Sequence, residues 1–378
     1  MSLLTQEQER FRQEVRAFVE ERIIPHAQGW DRDQVFPKDV IKEMGRRGYL
    51  GALAPKEWGG IELDFVTYSV LCEEISRGSA AICVVLSVTN SFGCYALSKH
   101  GSEGLKKKYL KDIASGRKVV CFAQSEPNAG SDASAISTRA RKEGDGYVIT
   151  GTKVFLSTGA NAGIVHCVAT LDPSLRHKGL TSFLIERDSK GVSVTKHEDK
   201  MGQRADDCVQ MVFEDVYVPK ENVIGSEGMG FKIGMDSLDC GRIGIASLAV
   251  GIAQRCLEIS IAHASSRVQF GQPIGKHQAI AFKVADMATR VEASRLLAQN
   301  AASIKETGGK VTKYSSMAKL FASDTAMDSA IETVQILGSS GVIAGSMAEL
   351  LFRDAKVCQI FEGTNEIQRV VISRSLLE

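Results

Sequence analysis

The order of local textures along the chain constrains its fold most: helix-like sequence, then short β-rich runs, then helix-like sequence again. In the first part, Leu4, Phe11, Val15, Phe18, Val19 and Ile23 approximate a 3.6-residue period. Thr5 and Gln8 form a candidate capping box, and Pro25 is expected to end that helix. Residues 37–49 repeat the pattern, Trp58-Gly59-Gly60 marks a loop, and residues 65–109 read as helix upon helix. From about residue 118 come β-rich runs at 147–150, 164–169, 180–185, 192–195 and 209–213, separated by turn residues. Beyond about residue 228, four or five helical segments are broken at 271–275, 308–309 and 338–341. Strands enclosed between helices exclude an alternating doubly wound sheet. The expected fold is α+β and multidomain: a helical domain over 1–119, an antiparallel β-barrel or sandwich over 120–227 and a four-helix bundle over 228–378.

A chain of 378 residues has room for two or three such domains. Lys plus Arg (46) and Asp plus Glu (45) nearly cancel, so no global field draws in nucleic acid or an anionic membrane. The longest nearly apolar runs, Ala80–Val88 and residues 243–253, fall short of the roughly 18–20 residues that span a bilayer, so no membrane span is expected. Glu7 and Glu9 stand where a signal peptide carries basic then apolar residues, which points to the cytoplasm, or to a mitochondrial matrix protein whose leader has been removed. Nine cysteines without a C-x-x-C pair fit a reducing compartment. Cys72, Cys83 and Cys94 recur at one helical face, as buried packing residues do. Neither a catalytic thiol nor a metal site is expected.

Four segments are candidates for chemistry. Residues 228–234 (GMGFKIG) place the third glycine one position too late for a dinucleotide fingerprint and read as the start of a helix. CFAQSEPNAGSD (121–132) is a loop of small and hydroxyl residues whose N–H groups can grip a flavin ring or a phosphate; alone, it reads as well as an ordinary polar loop. In GTKVFLSTG (151–159), Phe155 and Ser157 fall on one face at period two, suited to a planar heterocycle or equally to a core. In QIFEGTNEIQR (359–369), Glu362 sits between apolar residues and a glycine, where desolvation raises a carboxyl pKa towards that of a general base. Gly363 permits close approach of a ligand, and Thr364 opens a helix whose N-terminus can hold phosphate. On chemistry alone, an ordinary glutamate at a helix start accounts for Glu362 better.

The combination is more telling than its parts. CFAQSEPNAGSD, GTKVFLSTG, RVQFGQPIGKHQ (267–278), QILGSSG (335–341) and FEGTNEIQR (361–369) occur in this order, and LDCGRIGIASLAVGIAQ spans 238–254. The sequence resembles the acyl-CoA dehydrogenase family end to end, closest to its short-chain (butyryl-CoA) type. The resemblance implies the three-domain fold, one FAD per subunit, a homotetramer built as a dimer of dimers, and electron transfer to an electron-transfer flavoprotein. The reaction would be α,β-dehydrogenation of an acyl-CoA; the alternatives on the same scaffold are a flavin oxidase and an enzyme acting on carrier-protein thioesters.

By this resemblance Glu362 is the base that takes the α-proton. Its backbone N–H and a flavin ribityl hydroxyl steady the thioester oxygen, with Gly363 beside the substrate. Phe122, Ser125 (pyrimidine), Phe155 (stacking) and Ser157 (near N5) contact the flavin, although the family often has Trp at Phe155 and Thr at Ser125 and Ser157. Arg267 and Phe270, with Gln335, Gly338 and Ser339, reach a neighbouring subunit's FAD, while Thr364 and Glu366 lie near the subunit's own. Ser131 matches a position shared by cofactor and CoA, Asp239 one near CoA, and Arg242 one beside the reacting centre. Gly241 stands where isovaleryl-type enzymes carry their base, and Ser79 where glutaryl-type enzymes carry an arginine. With an apolar wall over residues 82–92 interrupted by Ser87, Asn90 and Ser91, a neutral acyl group is expected, short or medium and open to a cyclic one, with the 2-enoyl-CoA as product.

Overall fold

A computed structural model describes residues 4–378. The first part is helical, with α1 (Gln6–Arg22), α2 (Ala27–Asp33), α3 (Lys38–Arg46), α4 (Phe65–Gly78), α5 (Ala80–Val88), α6 (Ala96–His100), α7 (Glu103–Leu105) and α8 (Lys111–Ala114). Thr5 and Gln8 close the capping box in both directions, and α1 stops three residues before Pro25. Val15, Phe18 and Val19 are its buried stripe. A π-helical stretch, Thr89–Tyr95, joins α5 to α6, so residues 80–100 form one rod.

The middle part has β1 (Val120–Ala123), β2 (Arg139–Glu143), β3 (Gly146–Ser157), β4 (Ile164–Thr170), β5 (Leu180–Glu186), β6 (Val192–His197), β7 (Cys208–Pro219) and β8 (Val223–Ile224). They form one sheet in the order β6-β7-β3-β2-β4-β5-β8, with β1 on β4. The expectation of a purely antiparallel array needs correction, because β1 and β2 both pair with β4 in parallel. The connections that make this possible are the long 124–138 loop and the β3 hairpin, which return the chain in the same direction. β2 was not legible as a strand because Arg139-Ala-Arg-Lys-Glu143 turns only Ala140 inward.

The third part holds α9 (Gly230–Ser266), a small hairpin of β9 (Val268–Gln269) and β10 (Gln272–Pro273), then α10 (Gln278–Glu306), α11 (Thr312–Leu337), α12 (Met347–Cys358) and α13 (Asn365–Leu377). One core runs through both helical parts: Leu71, Ile75, Val85, Ile243, Leu248, Ile252, Ala322 and Ala326 belong to it. α9 is its axis, packing on α4, α5, α10, α11 and α12. Two helices are longer and more apolar than their uninterrupted runs in the sequence. By length and composition, Ala80–His100 and Gly230–Ser266 are each long and apolar enough to cross a bilayer, yet in their most apolar windows they are 94% and 67% buried inside the protein. They are core helices whose polar residues interrupt the runs without breaking the rods. All nine cysteines are buried and free.

Candidate active site

The α12–α13 loop carries Glu362. Asn365 N donates to Gln359 O at 3.0 Å across it, and Thr364 caps α13 by accepting from Ile367 N at 3.3 Å. Inside this closed loop Glu362 (φ 54°) and Gly363 (φ 87°) are successive left-handed residues. Gly363 adopts that conformation freely, whereas Glu362 is strained and must be held there. Gln368 does part of this, its Nε2 donating to Glu362 O (3.2 Å) and Gly363 O (2.8 Å).

The loop turns Glu362 into a cavity of about 480 Å³ where the three parts of the chain meet. Val84, Val88 and Phe92 line it from the 80–100 rod, and Leu238, Arg242 and Ile245 from α9. The carboxyl leans on bare helix backbone: a Cβ placed on Gly241 would lie 2.7 Å from Glu362 Oε1. Burial raises the Glu362 pKa to about 7, opposed by the charges of Arg242 and Lys319. Arg242 Nη1 donates to Asp239 Oδ1 at 2.8 Å, and Asp239 Oδ2 accepts from Thr312 Oγ1 at 2.5 Å. Arg242 Nε is buried without a partner. Asp239 itself stands behind Arg242 and does not line the cavity.

The opposite wall comes from the sheet. Strict alternation was expected to put Phe155 and Ser157 on one face. Instead the β3–β7 register slips between Lys153 and Leu156, and Phe155 takes φ 57°. The bulge brings Phe155, Leu156 and Ser157 all to the cavity, with Phe155 left 69% exposed. The 121–132 loop is fixed beside it, Val154 N donating to Ser125 O at 3.0 Å. Beneath, buried Lys153 Nζ donates to Glu126 Oε1 (2.8 Å) and Gln124 O (2.9 Å). Burial would push the Glu126 carboxyl up, but Lys153, Ser137 and Thr138 hold it at about 2. Phe122 stacks on Phe92 with ring centroids 3.9 Å apart. Bared aromatic ring, Ser125, Ser131, Ser157 and Thr364 hydroxyls, and Gly130 with open space where a Cβ would stand suit a planar heterocycle with a polar edge. A flavin has that chemistry.

The cavity therefore gathers Phe122, Ser125, Ser131, Phe155, Ser157, Arg242, Glu362, Gly363 and Thr364. Glu366 lies on a second hollow of about 290 Å³ with Asp324, Lys356 and Arg369. Arg267, Phe270, Gln335, Gly338 and Ser339 lie outside the cavity on the exposed surface of the third part. Phe270 is 94% exposed at the tip of the β9–β10 hairpin. Ser87, Asn90 and Ser91 do not line the cavity; Asn90 and Ser91 bond to backbone within or beside their own rod. Sequence reasoning missed Lys319 and Gln368, the polar groups behind the loop. The signal for Lys319 was a lone charge inside a helix of small residues, SSMAKLFAS. Among the described residues no cluster of His, Cys, Asp and Glu could hold a metal ion.

Fold and site together set one carboxyl against a mostly apolar cavity where helical and sheet parts of the chain meet. Residues 5–117 match the N-terminal domain of acyl-CoA dehydrogenase, 121–216 its middle domain and 228–377 its C-terminal domain. The chain belongs to the acyl-CoA dehydrogenase family. It is 44% identical to the mitochondrial short-chain specific acyl-CoA dehydrogenase of Rattus norvegicus over 97% of this chain and 89% of that one. Butyryl-CoA dehydrogenase from Megasphaera elsdenii superposes with a TM-score of 0.98 at 38% identity, covering all of both chains. A chain solved in work on the electron transferring flavoprotein of Acidaminococcus fermentans gives 0.98 at 39%, again covering all of both.

Proposed function

We propose that this protein is an FAD-dependent dehydrogenase of short or medium neutral acyl-CoA thioesters, forming the 2-enoyl-CoA and passing electrons to an electron-transfer flavoprotein. The observation that carries the reading is the Glu362 carboxyl, held at about 7 in a chamber walled by Val84, Val88, Phe92 and Ile245. A thioester α-proton is weakly acidic, so its base must be ionised near neutral pH and still bind a proton well. Glu362 meets both conditions, and exclusion of water strengthens every contact to the charge developing on the thioester.

When bound, the flavin supplies the two-electron acceptor for the hydride that leaves the β-carbon. Phe122, Ser125, Phe155 and Ser157 would hold its ring, and Thr364 and Glu366 its polar arm. Glu362 receives the α-proton on a carboxylate oxygen. Gly363, Arg242 and Ser131 fall to the thioester and CoA side, while Asp239, placed near CoA by the resemblance, stands behind Arg242 and would act on the ligand only through it. Arg267, Phe270, Gln335, Gly338 and Ser339 would serve the cofactor of a neighbouring subunit, and their exposure supports that assignment. A neutral acyl group is supported by the apolar wall of the cavity; Ser79, at the α4–α5 junction, does not line it. The division at 1–119, 120–227 and 228–378 follows the helix–sheet–helix boundaries. A reducing interior, the bacterial cytoplasm or mitochondrial matrix, suits nine free buried thiols.

The test is anaerobic bleaching of the yellow protein by a panel of straight, branched, cyclic and dicarboxylic CoA esters. Short or medium neutral esters bleach it fastest, and Glu362→Gln keeps its flavin but slows bleaching by about 10²–10⁴-fold. Native-rate bleaching of that variant, or preference for a dicarboxylic ester, overturns the reading.

A further inference from the structure

Behind the Glu362 loop lies a buried ammonium group that the reaction as described does not use. Lys319, in the middle of α11, has no exposed surface. Its Nζ donates to Gly363 O and to Asn365 Oδ1, both at 2.9 Å. Asn365 is anchored in turn, its Nδ2 donating to Asp324 Oδ1 (2.7 Å) and Ser323 Oγ (2.9 Å). Among the described residues Lys319 has no ion-pair partner. A cation so placed is costly unless its charge is used nearby. The contrast with Arg242 is informative: that guanidinium is paired to Asp239 at 2.8 Å, so part of its field is cancelled at source.

We propose that Lys319 is a positioning residue for the reaction: it clamps the left-handed Glu362–Gly363 turn from behind and supplies a positive charge, held in no ion pair, that favours the ionised form of the base in its buried setting. The inference rests on Glu362 being the base. The loop geometry supports the clamp, because Gly363 O receives two donors, Lys319 Nζ and Gln368 Nε2, and this is the carbonyl next to the strained glutamate. The titratable groups around the pair are few, and the thiols among them are kept neutral by burial. Arg242 and Cys240 face Glu362 from α9. Cys358 from α12, Arg242 from α9, Glu366 from α13 and Asp324 from its own helix face Lys319. Burial lowers the Lys319 pKa to about 8, so the ammonium form persists at neutral pH.

The experiment compares flavin-loaded wild type, Lys319→Met, Lys319→Gln and Lys319→Arg. The single-turnover bleaching rate is followed against pH, and the protonated-carboxyl band absent from Glu362→Gln is followed by difference infrared titration. Removing the charge is expected to move both the rising limb and the infrared midpoint up by about one pH unit, the effect of one cation close to a buried carboxyl. Lys319→Gln, which can still donate to Gly363 O, shows the same displacement with a higher plateau rate than Lys319→Met; Lys319→Arg returns the midpoint towards wild type. Should Lys319→Met not fold, Lys319→Gln carries the test. An unmoved midpoint in a folded neutral variant overturns the proposal. The infrared midpoint reports on Glu362 whatever its role, so its failure is distinct from failure of the base assignment, which the Glu362→Gln rate decides.

Discussion

A carboxylate that must be both ionised and proton-binding near neutrality makes two demands on its surroundings that conflict. Burial raises the Glu362 pKa from an ordinary 4.5 to about 7, so between those values the folded chain binds a proton that the unfolded chain does not. Stability therefore falls as pH rises through that window, while the fraction of ionised carboxylate grows. Glu362→Gln removes the conflict. Its unfolding midpoint should exceed that of the wild type at pH 8, by about 1–3 kcal/mol at roughly 1.4 kcal/mol per pKa unit, and the gap should close at pH 5; urea titrations at the two pH values check it. Gly241 is the other sensitive residue. A methyl group there meets a flexible carboxyl tip at 2.7 Å, not backbone, so Gly241→Ala should leave the unfolding midpoint nearly unchanged. Displacing the base by about an ångström should nevertheless cost on the order of 10²-fold in single-turnover rate. The desolvated setting of Glu362 was legible from its apolar neighbours, whereas its reading as a base came only from the resemblance carried by FEGTNEIQR. The loop's support was not legible: Lys319 reaches it across the fold from α11, and Gln368, although close in sequence on α13, carries no local pattern that turns its amide back onto the loop carbonyls.

At the scale of elements, α9 comes against the α4 backbone at Gly251 with no room for a side chain. A Cβ on Gly251 would lie 1.9 Å from Ser76 Oγ and 2.3 Å from Glu73 O. Gly251→Ala should destabilise the protein by about 1–3 kcal/mol as α9 is pushed off α4, with a smaller loss of rate than Gly241→Ala; denaturant midpoints and single-turnover rates separate the two. Helical periodicity and the Thr5–Gln8 cap could be read directly from the sequence, since local spacing decides them. The π-helical Thr89–Tyr95 stretch could not, because its extra residue per turn is fixed by tertiary contacts: Asn90 Nδ2 donates to Tyr49 O, and Asn90 Oδ1 accepts from Leu53 N, both at 3.0 Å. The bulge at Phe155 escaped for the same reason. Period-two reasoning assumes a register that β7 does not keep.

For the whole molecule, polar contacts between the three parts hold the chamber's walls in register. Arg353 on α12 bonds to both Asp31 oxygens (3.2 and 2.6 Å) from the first part and to Met201 O (3.0 Å) from the middle part. On the far side Arg295 of α10 grips Glu73 of α4 at 2.9–3.1 Å. Arg353→Ala should lower stability by about 2–3 kcal/mol, as hydrogen bonds to charged groups do, and broaden the urea transition as the parts uncouple; coincidence of fluorescence and circular dichroism curves would count against this. The same assembly brings Gly241 and Glu362, far apart in the chain, to one small niche. Only one acid can occupy it at a time. If Glu362 is the base proposed above, a descendant of this chain could move that carboxyl to the long helix only by exchanging both residues together, because either step alone leaves two acids in collision or none at all.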